Sequence, residues 1–426
     1  MLKEKNTWIT ITLINLVIVA ALGVLLRSKI LFSIPGVDFK FILHAHSHFA
    51  FGGWITLCLF TLMTYEILPE SCSSKPKYKY LLSGLLITAT GMLFSFPFQG
   101  YALFSILFST LFIFVTYAYS WVLIKDLLKS RTEKTVALLC IVSLMALILS
   151  SIGPFTLAYV MVSRSTNTLL YKDAIYTYLH LQYNGFFTLA VFALFVNQFN
   201  IKFDDLAKRS VKRFAIVLSL SVLPTLFLSY LWHFQNIAIR SIAVLGCILL
   251  VVILFRFIIM IRSVSNYLKS ITPFAKAIGL LSMAAFAIKT TVQIGIVFPA
   301  IGNEVFGDRP IIIGYLHLVM LGFVSLYLLA HLVQAKYFEI NKGLSKTGII
   351  IFIGAVIGNE LILMTQGLSA MMMYSSTLYP WLLWAAAICL FIGALLICLS
   401  AIGHLKPKSI FHSTFLPSNS IIFSKS

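Results

Sequence analysis

Apolar residues run along this chain in long blocks, each closed by a short cluster of charged residues, proline or glycine. The blocks fall at 8–30, 41–66, 80–98, 101–124, 136–161, 174–198, 214–233, 237–260, 274–299, 311–334, 347–368 and 379–402. Crossing a bilayer takes about 20 mostly apolar residues as a helix, against about 9 to 11 for a barrel strand. The pattern therefore predicts an all-α polytopic membrane protein of twelve spans, numbered here in chain order, in a single transmembrane domain covering 1–426. Spans 3 and 4 are joined tightly at Pro97 to Tyr101 and spans 7 and 8 at His233 to Asn236, so the pattern defines those two boundaries least.

Composition agrees with the pattern. Of the 426 residues, 60% are hydrophobic and 11% charged, where a soluble protein carries about 45 to 50% and about 25%. No stretch is left over for a soluble domain. The first twenty residues, MLKEKNTWITITLINLVIVA, resemble a signal peptide but lack a small-residue cleavage site after the apolar run, which reads as an uncleaved first span. The net charge of +19 would suggest nucleic acid in a soluble protein. Here its distribution matters more. Loops on the N-terminal side of the twelve-span map hold 24 Lys and Arg and the opposite loops hold 7, with Lys289 inside a span. That alternation implies cytoplasmic N- and C-termini, a multi-pass location in the cytoplasmic (inner) membrane, contact with anionic lipid, and no nucleic-acid partner.

The six cysteines form no C-x-x-C or Cys/His cluster, which gives no support to iron–sulfur, covalent c-type haem or thiolate-zinc sites. They read as small core residues. The nine histidines are different. His44, His46 and His48 open span 2, His180 lies in span 6, His233 closes span 7 and His317 opens span 10, all at one depth in the outer part of the bilayer. His331, His404 and His412 read as interfacial or hydrogen-bonding residues.

Three of the segments share H-x-x-x-x-G-[FW]: His48 with Gly53 and Trp54, His180 with Gly185 and Phe186, His317 with Gly322 and Phe323. The spacing is four helices each time. It implies three four-helix units, approximately 1–133, 134–270 and 271–405, in a pseudo-threefold arrangement. Gly53 and Gly322 would let a flat cofactor or a neighbouring helix approach the backbone. Imidazoles without thiolate or carboxylate suit haem iron, copper or zinc rather than calcium or magnesium. His44 and His48 share a helix face while His46 points away from it, so at most two of the three can serve one ligand set.

These residues resemble the haem–copper superfamily, the twelve-helix catalytic subunits of respiratory oxidases and nitric-oxide reductases, together with the related NnrS membrane proteins. The resemblance covers spans 2, 6, 7 and 10 in order and orientation. It implies non-covalent b-type haem ligated by His317 with His48, or else His46, and copper at His180 and His233. Departures accompany it: Asn184 stands where a catalytic tyrosine is expected, His317 lacks a second histidine two residues on, and span 7 offers one histidine rather than two. HAH in span 2 with a single histidine in span 10 looks more like the NnrS pattern. The resemblance thus implies a haem protein handling nitric oxide, oxygen or electrons from a respiratory donor, with a reduced or degenerate copper site. If it is an enzyme, it is a haem-dependent oxidoreductase. A secondary transporter with an outer histidine cluster, or a non-catalytic haem and gas sensor or assembly factor, are the alternatives.

Two ionisable residues fall within spans, Lys289 and Glu360. They read either as structural groups, paired or snorkelling, or as a proton route that Gln293 could extend. Met371, Met372 and Met373 form an apolar interfacial loop or a thioether site.

Overall fold

The computed structural model describes residues 2–199, 203–233, 236–299, 302, 309–337 and 343–405. Among them, twelve helices are long and apolar enough to cross a membrane: span 1, Glu4–Leu31; span 2, Phe39–Ile67; span 3, Pro76–Gln99; span 4, Leu103–Lys129; span 5, Lys134–Val162; span 6, Thr168–Phe199; span 7, Asp205–Tyr230; span 8, Ile237–Val264; span 9, Pro273–Gly295; span 10, Pro310–Gln334; span 11, Gly343–Met371; and span 12, Leu378–Gly403. This is the all-α polytopic membrane protein that the hydrophobic blocks imply.

Local chemistry sets the ends. Asp38, Glu133, Asn167 and Asp204 each accept a hydrogen bond from the first turn of the helix that follows, satisfying backbone N–H groups that have no partner within the helix. The tight link between spans 3 and 4 turns at Gly100, whose φ of 58° is a conformation open to glycine and strained for other residues. Span 7 tightens into a 3-10 turn at Phe227–Tyr230, so His233 lies in the turn beyond the helix rather than on its last turn.

Consecutive helices pack side by side, and span 12 lies along span 1. Spans 2 and 6 are almost wholly buried, while span 10 is buried only in its second half. These three helices also depart from α geometry in the same place. Within two residues of the motif histidines His48, His180 and His317, π-helical segments run over Ala50–Thr56, Leu181–Phe187 and Leu318–Ser325. Each contains the motif glycine, and at each the preceding odd-numbered span comes close. Asn15 of span 1 donates to the Gly53 carbonyl at 2.7 Å. A Cβ added at Gly185 would stand 2.6 Å from Ala146 of span 5, and one at Gly322 would stand 3.4 Å from Ala285 of span 9. Gly185 and Gly322 therefore serve helix approach, while at Gly53 the space of a Cβ is filled by Phe49 of the same helix. Below the histidines, Trp54 of span 2 donates to Ser325 of span 10 at 3.0 Å, and Ser282 of span 9 donates to the carbonyl of Phe323 at 2.7 Å.

Free cysteines occupy the interior at positions 58, 140 and 398, are partly buried at 72 and 247, and face outward at 389. Met372 and Met373 are exposed beyond the end of span 11, with Met371 partly so.

Candidate functional site

The histidines of the motif segments lie toward the end of the bundle away from the start of span 1 and the last described turn of span 12, yet they divide among three walls. Successive helical residues are rotated by about 100°, which sends His44 and His48 one way and His46 the other. His48 stacks on Phe96 of span 3 with ring centroids 4.6 Å apart. Its Nε2 is 2.8 Å from the hydroxyl of Tyr101, in the link between spans 3 and 4. His44 meets the same Tyr101 ring edge-on at 4.6 Å. Burial pushes the Tyr101 phenol up to about 12, so it keeps its proton at neutral pH beside His48.

His46 turns instead to span 1, where its Nδ1 donates to the Val19 carbonyl at 3.1 Å. Gly23, one turn further along span 1, leaves room for the ring: a Cβ there would stand 3.4 Å from His46 Cε1. On span 10, His317 donates its Nδ1 proton to the carbonyl of Ile313 at 2.8 Å. A carbonyl can only accept. Both rings are therefore Nδ1–H tautomers, with the Nε2 lone pair left for another partner, which is how proteins commonly hold a metal-ligating imidazole. His46, His317 and Arg27 of span 1 lie within electrostatic reach of one another. Around them the packing is looser than deeper in the bundle. Residues 310–317 are half-buried throughout and pack against span 11, whereas the first turns of span 2 pack against span 3.

His180 forms the third wall. Its Nε2 donates to the Val222 carbonyl at 2.9 Å, and its Nδ1 accepts from Asn184 at 3.2 Å. Asn184 in turn accepts from Lys289 Nζ at 2.7 Å, and Thr188 lies 3.4 Å from the same nitrogen. Lys289 is 3% exposed, and Gln293, one turn on, accepts from the Tyr315 hydroxyl at 3.4 Å. The place expected for a catalytic tyrosine is thus taken by an amide that bridges a histidine and a buried lysine. Lys289 and Glu360 do not pair with each other: the Glu360 carboxylate accepts from its neighbour Asn359 at 3.2 Å.

His233 pairs with Asp173 at 3.1 Å. Asp173 precedes His180 by seven residues, about 10 Å of helix rise. Both ring nitrogens of His180 are engaged within the protein, by Val222 and Asn184, and His233 is paired with Asp173. Among the described residues, no group of three or more His, Cys, Asp or Glu side chains is placed to hold a bare metal ion.

No protein-family model matches this chain, and no curated protein matches it.

The structure also brings forward residues that the hydrophobic pattern left in the background. At the end bearing the N-terminus, Glu66 accepts from Lys5 at 2.8 Å and from His331 at 2.6 Å. His331 is a hydrogen-bonding residue, as its isolated position suggests, but it is buried rather than interfacial. The side chain of His404, and all of His412, lie outside the described residues. Glu66 could have drawn notice as one of only 13 acidic residues, placed at the end of an apolar run. Tyr101, Asp173 and Arg27 carry no comparable signal, because they become partners only once the helices pack.

Proposed function

We propose that this chain is a haem-binding membrane protein whose iron is carried by His46 and His317, and that it handles electrons without a copper centre. The supporting observation is the matched state of the two rings, each fixed by an Nδ1 hydrogen bond to a backbone carbonyl and each left with a free Nε2. His46 rather than His48 is the span 2 ligand, because His48 is committed to Phe96 and Tyr101. A haem held there supplies one-electron chemistry. The chain's own part is to orient the two imidazoles through Val19 and Ile313, to offer Arg27 as a counter-charge for an acidic edge of the cofactor, and to exclude water with the surrounding apolar helices.

A haem held by both His46 and His317 would serve electron transfer ahead of oxygen or nitric-oxide reduction. The recurrence of a π segment after His48, His180 and His317, each beside a close approach of the preceding span, favours three related four-helix units in pseudo-threefold order. The loop charge bias favours cytoplasmic termini and an outer-leaflet haem.

Iron and copper analysis of full-length protein purified after expression with haem supply tests this reading. The expected result is one iron per chain, a Soret band and no copper. Absence of both iron and a Soret band would overturn it and leave the transporter reading, in which the buried Lys289–Asn184 contact would serve a substrate instead.

A further inference from the structure

A second feature lies toward the end of the bundle where span 1 begins, and spans 6, 8, 9 and 10 enclose a cavity of about 250 Å³ there. Along span 9 its lining recurs every fourth residue, at Ala275, Gly279, Met283 and Ala287. Residues at that spacing stack on one helix face, so the cavity is a slot running along about 18 Å of span 9. Three of the four are glycine or alanine, which gives the slot its depth. It reaches the lipid-facing surface, where Leu280 lines it and is half exposed. A ligand therefore enters from the membrane rather than from water.

The slot is not uniform along its length. Gln198 in the last turn of span 6, Lys276 in the first turn of span 9 and Gln334 at the end of span 10 line it at one border of the bundle, since spans 6 and 10 end on the side where span 9 begins. Inward from Lys276, the span 9 lining is wholly apolar. A polar rim at the membrane border leading into an apolar slot open to lipid follows the polarity of a phospholipid, headgroup first and alkyl chain below. Charge then selects among phospholipids. No Asp or Glu occurs from residue 206 to residue 303, a stretch that holds Arg262 near the end of span 8 and Lys269 in the following link as well as Lys276. Among the described residues, Lys276 makes no ion pair. The Gln334 side-chain oxygen accepts from the Thr272 N–H at 2.9 Å, which leaves its NH₂ as a donor. A cation and an amide donor, in a stretch without carboxylates, suit an anionic group.

We propose that this slot binds one anionic phospholipid from the leaflet on the side where span 1 begins, with its phosphate at Lys276 and Gln334 and one acyl chain laid along span 9. The volume falls below the range of about 300 to 1,000 Å³ usual for drug-sized ligands, and spread along three helical turns it fits a single chain rather than a ring system. A zwitterionic lipid with the same chains fills the slot equally well but brings a second cation up to Lys276.

The test uses the purified full-length chain in phosphatidylcholine nanodiscs, titrated with phosphatidylglycerol that carries a photoreactive group on one acyl chain, with crosslinked peptides mapped by mass spectrometry. Saturable labelling within residues 275–287 is expected, displaced by unlabelled phosphatidylglycerol but not by glycerol phosphate, which has no chain. Lys276→Gln keeps the helix and removes the charge, so it should weaken binding about fivefold, the effect of one lysine at an anionic lipid surface. Gly279 has space for a Cβ, with Ala330 at 3.9 Å, so Gly279→Leu carries its side chain into the slot and should abolish saturable labelling. Equal labelling by a photoreactive phosphatidylcholine with the same chains, or an affinity unchanged in Lys276→Gln, would overturn the proposal. So would undiminished labelling in Gly279→Leu at an unchanged thermal midpoint.

Discussion

His46 on span 2 and Val19 on span 1 are joined by an Nδ1–H to carbonyl hydrogen bond of 3.1 Å, which fixes the ring's tautomer and turns Nε2 away from span 1. A backbone acceptor cannot be removed by substitution, but the room beside the ring can. Gly23→Ala places a Cβ at ordinary contact distance, whereas Gly23→Leu drives side-chain atoms into the His46 ring. Gly23→Leu should lower haem occupancy and shift its absorption maxima while the thermal unfolding midpoint of the apoprotein stays close to that of wild type. Gly23→Ala should change neither.

His48 offers the complementary control. Its contacts are Phe96 and Tyr101, so His48→Ala should leave the haem spectrum unchanged and cost only local packing. Tyr101→Phe should be equally silent in the spectrum. Loss of the Soret band in His48→Ala would return the ligand role to the face shared by His44 and His48.

Lys289 tests whether the third wall is structural. A lone charge at the centre of a span costs roughly 2.5 to 3.5 kcal/mol, and removing it leaves Asn184 and Thr188 short of a donor at about 1 to 3 kcal/mol. The two effects oppose each other, so Lys289→Met should shift the unfolding midpoint little in either direction and leave iron content intact. Redox turnover that fails in Lys289→Met with unchanged fold and iron would instead assign the lysine to proton delivery.

Glu66 holds Lys5 in an ion pair and accepts from the His331 ring in a largely buried site, and its removal leaves Lys5 without its counter-charge and His331 without its acceptor. Breaking a buried pair by deleting one partner costs about 3 to 5 kcal/mol. Glu66→Ala should therefore lower the thermal midpoint in detergent markedly, Glu66→Gln less so, and neither should alter the haem spectrum. A midpoint unchanged in Glu66→Ala would contradict the tie between the N-terminal helix and spans 2 and 10.

The twelve spans were legible because membrane helices are selected by length and apolarity, both written locally in the sequence. Pairing of the histidines was legible only in part. Periodicity correctly separated His46 from His44 and His48 on span 2, since rotation per residue is a property of the helix alone. It could not say which face meets span 10, because that depends on how span 2 lies against spans 1 and 3. Grouping His180 with His233 rested on equal depth, and in the folded chain each ring also has a polar partner of its own, Asn184 in one case and Asp173 in the other. The π segments were also invisible in advance. The motif glycine in each was noted, but the contacts beside them, from Asn15, Ala146 and Ala285, form only once the helices pack.

The most direct test of the central claim is low-temperature electron paramagnetic resonance, paired with optical absorption, of the oxidised full-length protein and its His46→Ala and His317→Ala variants. A low-spin ferric signal typical of two imidazole ligands is expected in the wild type, with conversion to a high-spin signal or loss of haem in either variant. A wild-type low-spin signal that persists unchanged in both variants would contradict ligation by His46 and His317.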